Sequence, residues 1–261
     1  MNTMVDDSAS RLARMKRLKD RVESRWRKQD GLRPTPLGHG VIDAALGGGL
    51  ARGRLHELHA LLPEDAPGAA GFAAMLAAQR GGVVIWVRPG RAGLSGQPYA
   101  LGLRDIGLDP ARLLLCIAPD TAGILQIANE AARCPQAATV IAEFWRRAPE
   151  FSLSASRRLA LSAETSGATL LMLRIGAEPE PSAATTRWSV ASAPSMPLLA
   201  NAPGHIALDL ALLRQRGGAG EGKWRVVWDR EHGRFIDVPP LSGAGRPPAV
   251  LRPAGLARDA A

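Results

Sequence analysis

Between residues 55 and 175, short apolar runs alternate with longer stretches whose apolar positions recur at helical spacing. Residues 83–87 (VVIWV), 113–117 (LLLCI), 139–142 and 169–175 are short, apolar and largely uninterrupted, as strands buried on both faces are, and residues 55–59 also read as a strand. Residues 69–79, 98–106, 121–133 and 154–166 carry the helical period between them. This alternation predicts a mostly parallel central sheet with helices on both faces.

Further along, the period changes. Residues 205–214, 224–229 and 235–238 alternate apolar with polar positions, separated by glycine-rich turns at 217–222 and 231–233. That pattern predicts an antiparallel meander at one edge of the sheet. Residues 178–203 are rich in Pro, Ser, Ala and Thr and read as one long loop of functional or mobile character. At the start of the chain, residues 8–28 read as a basic amphipathic helix in which Leu12, Met15, Leu18, Val22 and Trp26 form one stripe. The stripe can dock on the chain's own core, on a neighbouring protein, or beside DNA. The expected organisation is a leading helix in residues 1–30, an α/β core in 31–240, and a Pro/Gly/Ala-rich disordered tail in 241–261.

Charge adds less than its total of +9 suggests. Residues 1–30 hold nine basic and five acidic side chains, and residues 241–261 three and one, so the excess sits mainly on the ends. Nearly all the cations are Arg, as a GC-rich genome alone would produce, although Arg also suits phosphate contact. The two cysteines, Cys116 and Cys134, are too few for a disulfide framework and read as small apolar core residues. No apolar run approaches the roughly 20 residues of a membrane span. A soluble cytoplasmic protein, nucleoid-associated when active, is the expectation.

The connection after the first strand is where an α/β fold of this order would cradle a phosphate. Such a loop needs clustered glycines, a Lys and a Ser or Thr hydroxyl. The chain reads HALLPEDAPGAAGFAAM from His59 to Met75. Gly68 and Gly71 are present, but alanines and Phe72 follow them, and Glu64 and Asp65 would repel a triphosphate. No Lys occurs between Lys28 and Lys223. Glu143 ends the fourth strand where a Mg²⁺-orienting acid would stand; otherwise it is a solvent-facing or salt-bridged Glu. His56 and His59, three apart on a strand, face opposite sides and do not share a metal. The triple glycine at 47–49 precedes the first strand and reads as a turn. Neither a catalytic constellation nor a cofactor is expected.

The order of motifs resembles the RecA superfamily. PLGHGVIDAALGGGLARGRLHELHA, with Asp43, the glycine turn and Arg52–Gly53, is similar to the opening of the RecA core. VVIWVRPG, then PYALGLRDIGLDPARLLLCIAPD, the TVIAEF strand and LLRQRGGAGEGKWRVVWD follow in the same order. The resemblance spans about residues 31–240. Within the superfamily, the triple-glycine opening, the eroded phosphate loop, the Arg-rich leading helix and the Trp-bearing last strands resemble the ImuA family.

That resemblance implies a RecA-like core and a role in DNA-damage-inducible (SOS) translesion mutagenesis. It implies RecA, the Y-family-like protein ImuB and, indirectly, an error-prone polymerase as partners. The reading is a non-catalytic adaptor that links RecA or DNA to that machinery, with the stripe Leu12–Trp26 as its docking element. An alternative is a single-stranded DNA binder, because RecA's DNA loops follow its fourth and fifth strands. The matching segments hold Arg146, Arg147, Arg157 and Arg158, then Arg174, Arg187 and Trp188. A third reading is a divergent ATPase using Arg80 or Arg88 with Glu143.

Overall fold

The structure, a computed structural model, describes residues 32–90, 96–196, 204–218 and 221–238. The expected leading helix and the tail lie outside the described residues. Nine strands form one sheet: β1 (Leu55–Ala60), β2 (Val83–Pro89), β3 (Leu113–Ala118), β4 (Ala137–Trp145), β5 (Thr169–Ile175), β6 (Thr186–Ala193), β7 (Ala207–Gln215), β8 (Gly222–Asp229) and β9 (Arg234–Asp237). Their spatial order is β3-β2-β4-β5-β1-β6-β7-β8-β9. The first six run parallel; β6 to β9 form antiparallel pairs. The parallel core and the terminal meander are therefore as the hydrophobic pattern predicts.

Helices cover both faces. On one lie α1 (Gly40–Ala45), α2 (Ala66–Arg80) and α3 (Ala100–Asp105), packing Ile42, Phe72, Met75 and Leu103 on Leu58, Trp86, Ile141, Leu173 and Trp188. On the other lie α4 (Thr121–Arg133) and α5 (Leu153–Ser166), packing Ile124, Ala128 and Leu159 on Ile85, Val140, Leu170 and Met172. Phe72 of α2 fastens the meander, with its ring 6.2 Å from Trp188 and 5.4 Å from Phe235.

β6 corrects the expected long loop over residues 178–203. Thr186, Trp188 and Val190 alternate inward from a segment rich in Pro and Ser. β3 is a second correction. LLLCI reads as a strand buried on both faces, but it is the sheet's outer strand, with Leu114, Leu115 and Ile117 exposed. Cys116 and Cys134 are half-buried and not core residues. The triple glycine is a turn, as expected. Gly47, Gly48 and Gly49 all have positive φ, and a Cβ on Gly49 would meet Thr35 O at 2.3 Å.

The chain segment before β1 is tied to the last strand. Phe235 N donates to Leu37 O at 3.0 Å, and Gln79 Nε2 donates to Leu37 O and Gly233 O. His39 Nε2 stands 3.0 Å from Asp237 Oδ1, while Asp43 accepts from the amides of Leu37 and Gly38.

One buried histidine locks β6 to β1. His56 Nε2 donates to Ala51 O at 2.8 Å, which leaves Nδ1 to accept from the Thr186 hydroxyl at 2.8 Å. Thr186 Oγ1 in turn accepts from Trp188 Nε1 at 2.9 Å. This chain satisfies the neutral ring, and burial lowers the His56 pKa to about 4, against a raising effect from Ala51 O and a further lowering by Arg54. The unfolded chain takes up the proton near pH 6.5 and the folded one only near 4, so stability falls as pH drops through that window. We expect a loss of about 3 kcal/mol between pH 7 and 4 from this residue. Guanidinium denaturation of wild type and His56→Asn across that range checks it; the variant should show a shallower pH dependence.

Candidate site at the carboxyl ends of the strands

In a parallel sheet, ligands bind beyond the carboxyl ends of the strands, where the strand order reverses. A cavity of about 350 Å³ opens there, and most of its wall is apolar. α2 contributes Ala66, Pro67, Ala70, Gly71 and Ala74; the sheet contributes Trp86, Arg88, Glu143, Trp145 and Ile175.

Its floor is an ion pair. β2 and β4 lie side by side in register, with Val87 opposite Ala142, which brings Arg88 beside Glu143. Arg88 Nη2 is 3.4 Å from Glu143 Oε1, and both residues are buried. Trp145 Nε1 donates to Oε1 at 2.6 Å and Trp86 Nε1 to Oε2 at 3.3 Å. Of the two readings of Glu143, the salt-bridged one describes it; it does not face solvent. Three donors converge on the carboxylate, and ordinary desolvation cost requires them.

The connection from β1 to α2 is a short turn. Residues Pro63–Asp65 form a 3₁₀ turn, and α2 begins directly after it with Pro67 in its first turn. Proline has no N–H, so one of the amides that could face an anion is missing. Asp65 Oδ1 accepts from Ser192 N at 2.9 Å, and Glu64 lines the cavity. Gly68 and Gly71 sit inside α2. Gly68 allows the helix to press on β6, since a Cβ there would lie 2.7 Å from Ser192 Oγ. Gly68 thus serves packing, whereas Gly71 lines the cavity.

The arginines named from the sequence separate into groups. Arg146 follows β4 in a left-handed backbone conformation, φ +61°, rare for a residue with a side chain. Its amide donates to Ile175 O at 2.6 Å, and both Arg146 and Arg147 are exposed. Arg147 pairs loosely with Glu180. Arg157 and Arg158 are exposed on α5. Arg157 lines a smaller hollow with Leu55, Glu164 and Thr185, near the amino end of β1 and so towards the other end of the sheet. Leu12, Met15, Leu18, Val22 and Trp26 lie outside the described residues.

Arg174, Arg187 and Trp188 are not in a loop. Trp188 is wholly buried. Arg187 Nε donates to Glu57 Oε2 at 2.7 Å, and its Nη2 reaches Glu180 O and Ser182 Oγ. Arg174 lies buried with its guanidinium 4.7 Å from the Phe151 ring centre. Burial would raise the Glu57 carboxyl; His59, Arg187 and Ser182 outweigh it and hold it below the usual value. Burial lowers the Arg174 pKa, with Glu57 and Glu180 opposing that. Glu57, His59 and Arg187 thus form a cluster that sequence reading missed, visible only once β6 is placed beside β1. Among the described residues, no His, Cys, Asp or Glu group is arranged to hold a metal ion, and no helix is long and apolar enough to cross a membrane. Arg187→Ala should lower stability by about 3–5 kcal/mol, because it takes from the buried Glu57 the guanidinium that lies closest to it. Urea unfolding checks this, and a loss under 1 kcal/mol would contradict the buried pairing.

No family model matches the chain. Protein ImuA from two strains of Caulobacter vibrioides is 34% identical over 220 residues, covering 77% of this chain and 80% of that protein. The crystal structure of the RadB recombinase is similar in fold, with a TM-score of 0.54 at 16% identity, covering 78% of this chain and 99% of that one. The architecture is therefore RecA-like.

Proposed function

The chain belongs to the ImuA family, and on that premise we propose that it is a non-catalytic, RecA-like accessory protein of DNA-damage-induced mutagenesis. In this reading it links RecA or DNA to a Y-family-like protein of the ImuB kind and, through that, to an error-prone polymerase. The observation that carries the non-catalytic part is the state of Glu143. The acid in the metal-orienting position is bonded to Arg88, Trp86 and Trp145 at the floor of an apolar cavity. The turn above it presents Glu64 and Asp65 where a triphosphate would need cations. Arg88 contacts Glu143, which supports a structural pair over a divergent nucleotide site.

With nucleotide chemistry set aside, the surfaces of the fold and the stripe Leu12, Met15, Leu18, Val22 and Trp26 remain for binding partners. Deleting residues 1–28 is expected to abolish capture of RecA while leaving the core's circular dichroism and melting unchanged. Undiminished capture by the truncated protein would sink the docking role. Calorimetry with Mg-ATP is expected to give no saturable heat, and saturable heat would revive the ATPase reading.

A second reading keeps a narrower contact with single-stranded DNA. It rests on Arg146, whose left-handed backbone holds two exposed arginines beyond the end of β4 beside Trp145. Arg187 has no part in it, because its guanidinium is committed to Glu57. Replacing Arg146 and Arg147 by Ala should weaken binding in a fluorescence-anisotropy titration and flatten its salt dependence. Equal affinity and slope for both proteins would remove this reading.

A further inference from the structure

At the end of the sheet opposite the meander, β3 has β2 as its one sheet partner among the described residues. Its sequence, LLLCIA, carries no charge and no proline. Leu114, Leu115 and Ile117 are 55%, 40% and 56% exposed. Sheets ordinarily blunt such an edge with charge, proline or a bulge, because open N–H and C=O groups recruit another strand. This edge has none of those devices within its length.

The backbone orientation is fixed by one bond. Ala118 O accepts from Gly90 N at 2.9 Å, so Ala118 turns its polar groups towards β2, and by alternation Cys116 and Leu114 do the same. Leu113, Leu115 and Ile117 therefore turn theirs outward. Just outside the strand stand two exposed charges of opposite sign, Arg112 before it and Asp120 after it.

We propose that β3 is a self-association surface, at which two copies of this chain join β3 to β3 antiparallel across a twofold axis. The charges select the register. With the axis at Cys116, Arg112 of each copy lies opposite Asp120 of the other, so both ends of the ribbon are closed by an ion pair. In that same register Leu115 faces Ile117 of the second copy, and these are the residues whose backbone groups point outward. They form the hydrogen-bonded pairs, and their exposed side chains cover one another. A twofold needs a patch complementary to itself; the strand from Leu114 to Ala118 has that property in apolar content and backbone orientation, and the flanking Arg112 and Asp120 have it in charge. The pairing uses the sheet alone and stands apart from any role in mutagenesis.

The register has a chemical signature. Cys116 meets its own copy at a non-hydrogen-bonded position, where Cα atoms lie about 4.5 Å apart, within the roughly 4.4–6.8 Å that a disulfide spans. The full-length protein carrying Cys134→Ala is oxidised with diamide, which takes two electrons and two protons from the paired thiols. We expect a covalent dimer that Cys116→Ser eliminates. Sedimentation velocity of the reduced protein at about 50 µM is expected to give twice the 27.6 kDa of one chain. Ile117→Lys should weaken the dimer at least 30-fold without altering circular dichroism or melting, and Arg112→Asp should weaken it several-fold. A monomer at that concentration overturns the proposal. A dimer that survives Ile117→Lys and does not cross-link through Cys116 overturns it too. So does a monomer whose Leu115 and Ile117 amides resist hydrogen exchange, because a segment of the same chain would then be covering the edge.

Discussion

Burying an ionisable group without a partner costs more than a domain can spare, and β1 buries three of them among six residues. His56, Glu57 and His59 are each shut from solvent in the middle of the sheet. Their partners come from both sides: Thr186 and Arg187 from β6, and the cation Arg174 from β5, whose residue partner in the ladder is His59. A one-residue slip of β6 would turn Arg187 away from Glu57 and Thr186 away from His56. The polar centre thus fixes the register in which the parallel half meets the antiparallel half. The aromatic contacts of Phe72 and Trp188 then fasten the face on which His56 and Thr186 lie, opposite Glu57 and Arg187.

The same economy describes the cavity above the strands. An acid at the end of β4 can hold a cation supplied by a ligand, or one supplied by the protein. Here Arg88 lies one ladder position beyond the Val87–Ala142 pair, and two indoles complete the carboxylate's bonds. α2, built largely from alanine with Pro67 in its first turn, reaches back to where a glycine loop would have wrapped an anion. The result is a cavity with a mostly apolar wall, in which the acid is bonded by the protein's own donors.

Much of the architecture was legible because apolar periodicity reports burial. β1, β2, β4 and β5 are apolar, or paired in the interior, and the helices between them carry the 3.6-residue period. Where the pattern misled, it did so for physical reasons. LLLCI has the composition of a covered strand, and composition cannot tell a strand with two neighbours from one with a single neighbour. β6 hides its Thr186-Trp188-Val190 alternation inside a run of Pro, Ser and Ala, so its strand character emerges only with β1 and β7 on either side. Arg187 looked like a free cation for the same reason. The pairing of Arg88 with Glu143 joins residues 55 apart, and only the neighbouring of β2 and β4 brings them together. That the connection from β1 to α2 holds neither Lys nor a Ser or Thr hydroxyl, by contrast, is written in the sequence itself.

The hydrogen bond between Phe235 and Leu37 has a topological consequence. It stitches the opening of the core to its last strand, so Leu37 and Phe235, nearly 200 residues apart in sequence, become neighbours. The stitch also sets the order of assembly during synthesis: Leu37 leaves the ribosome long before Phe235 does, and this corner of the sheet closes only after β9 has emerged.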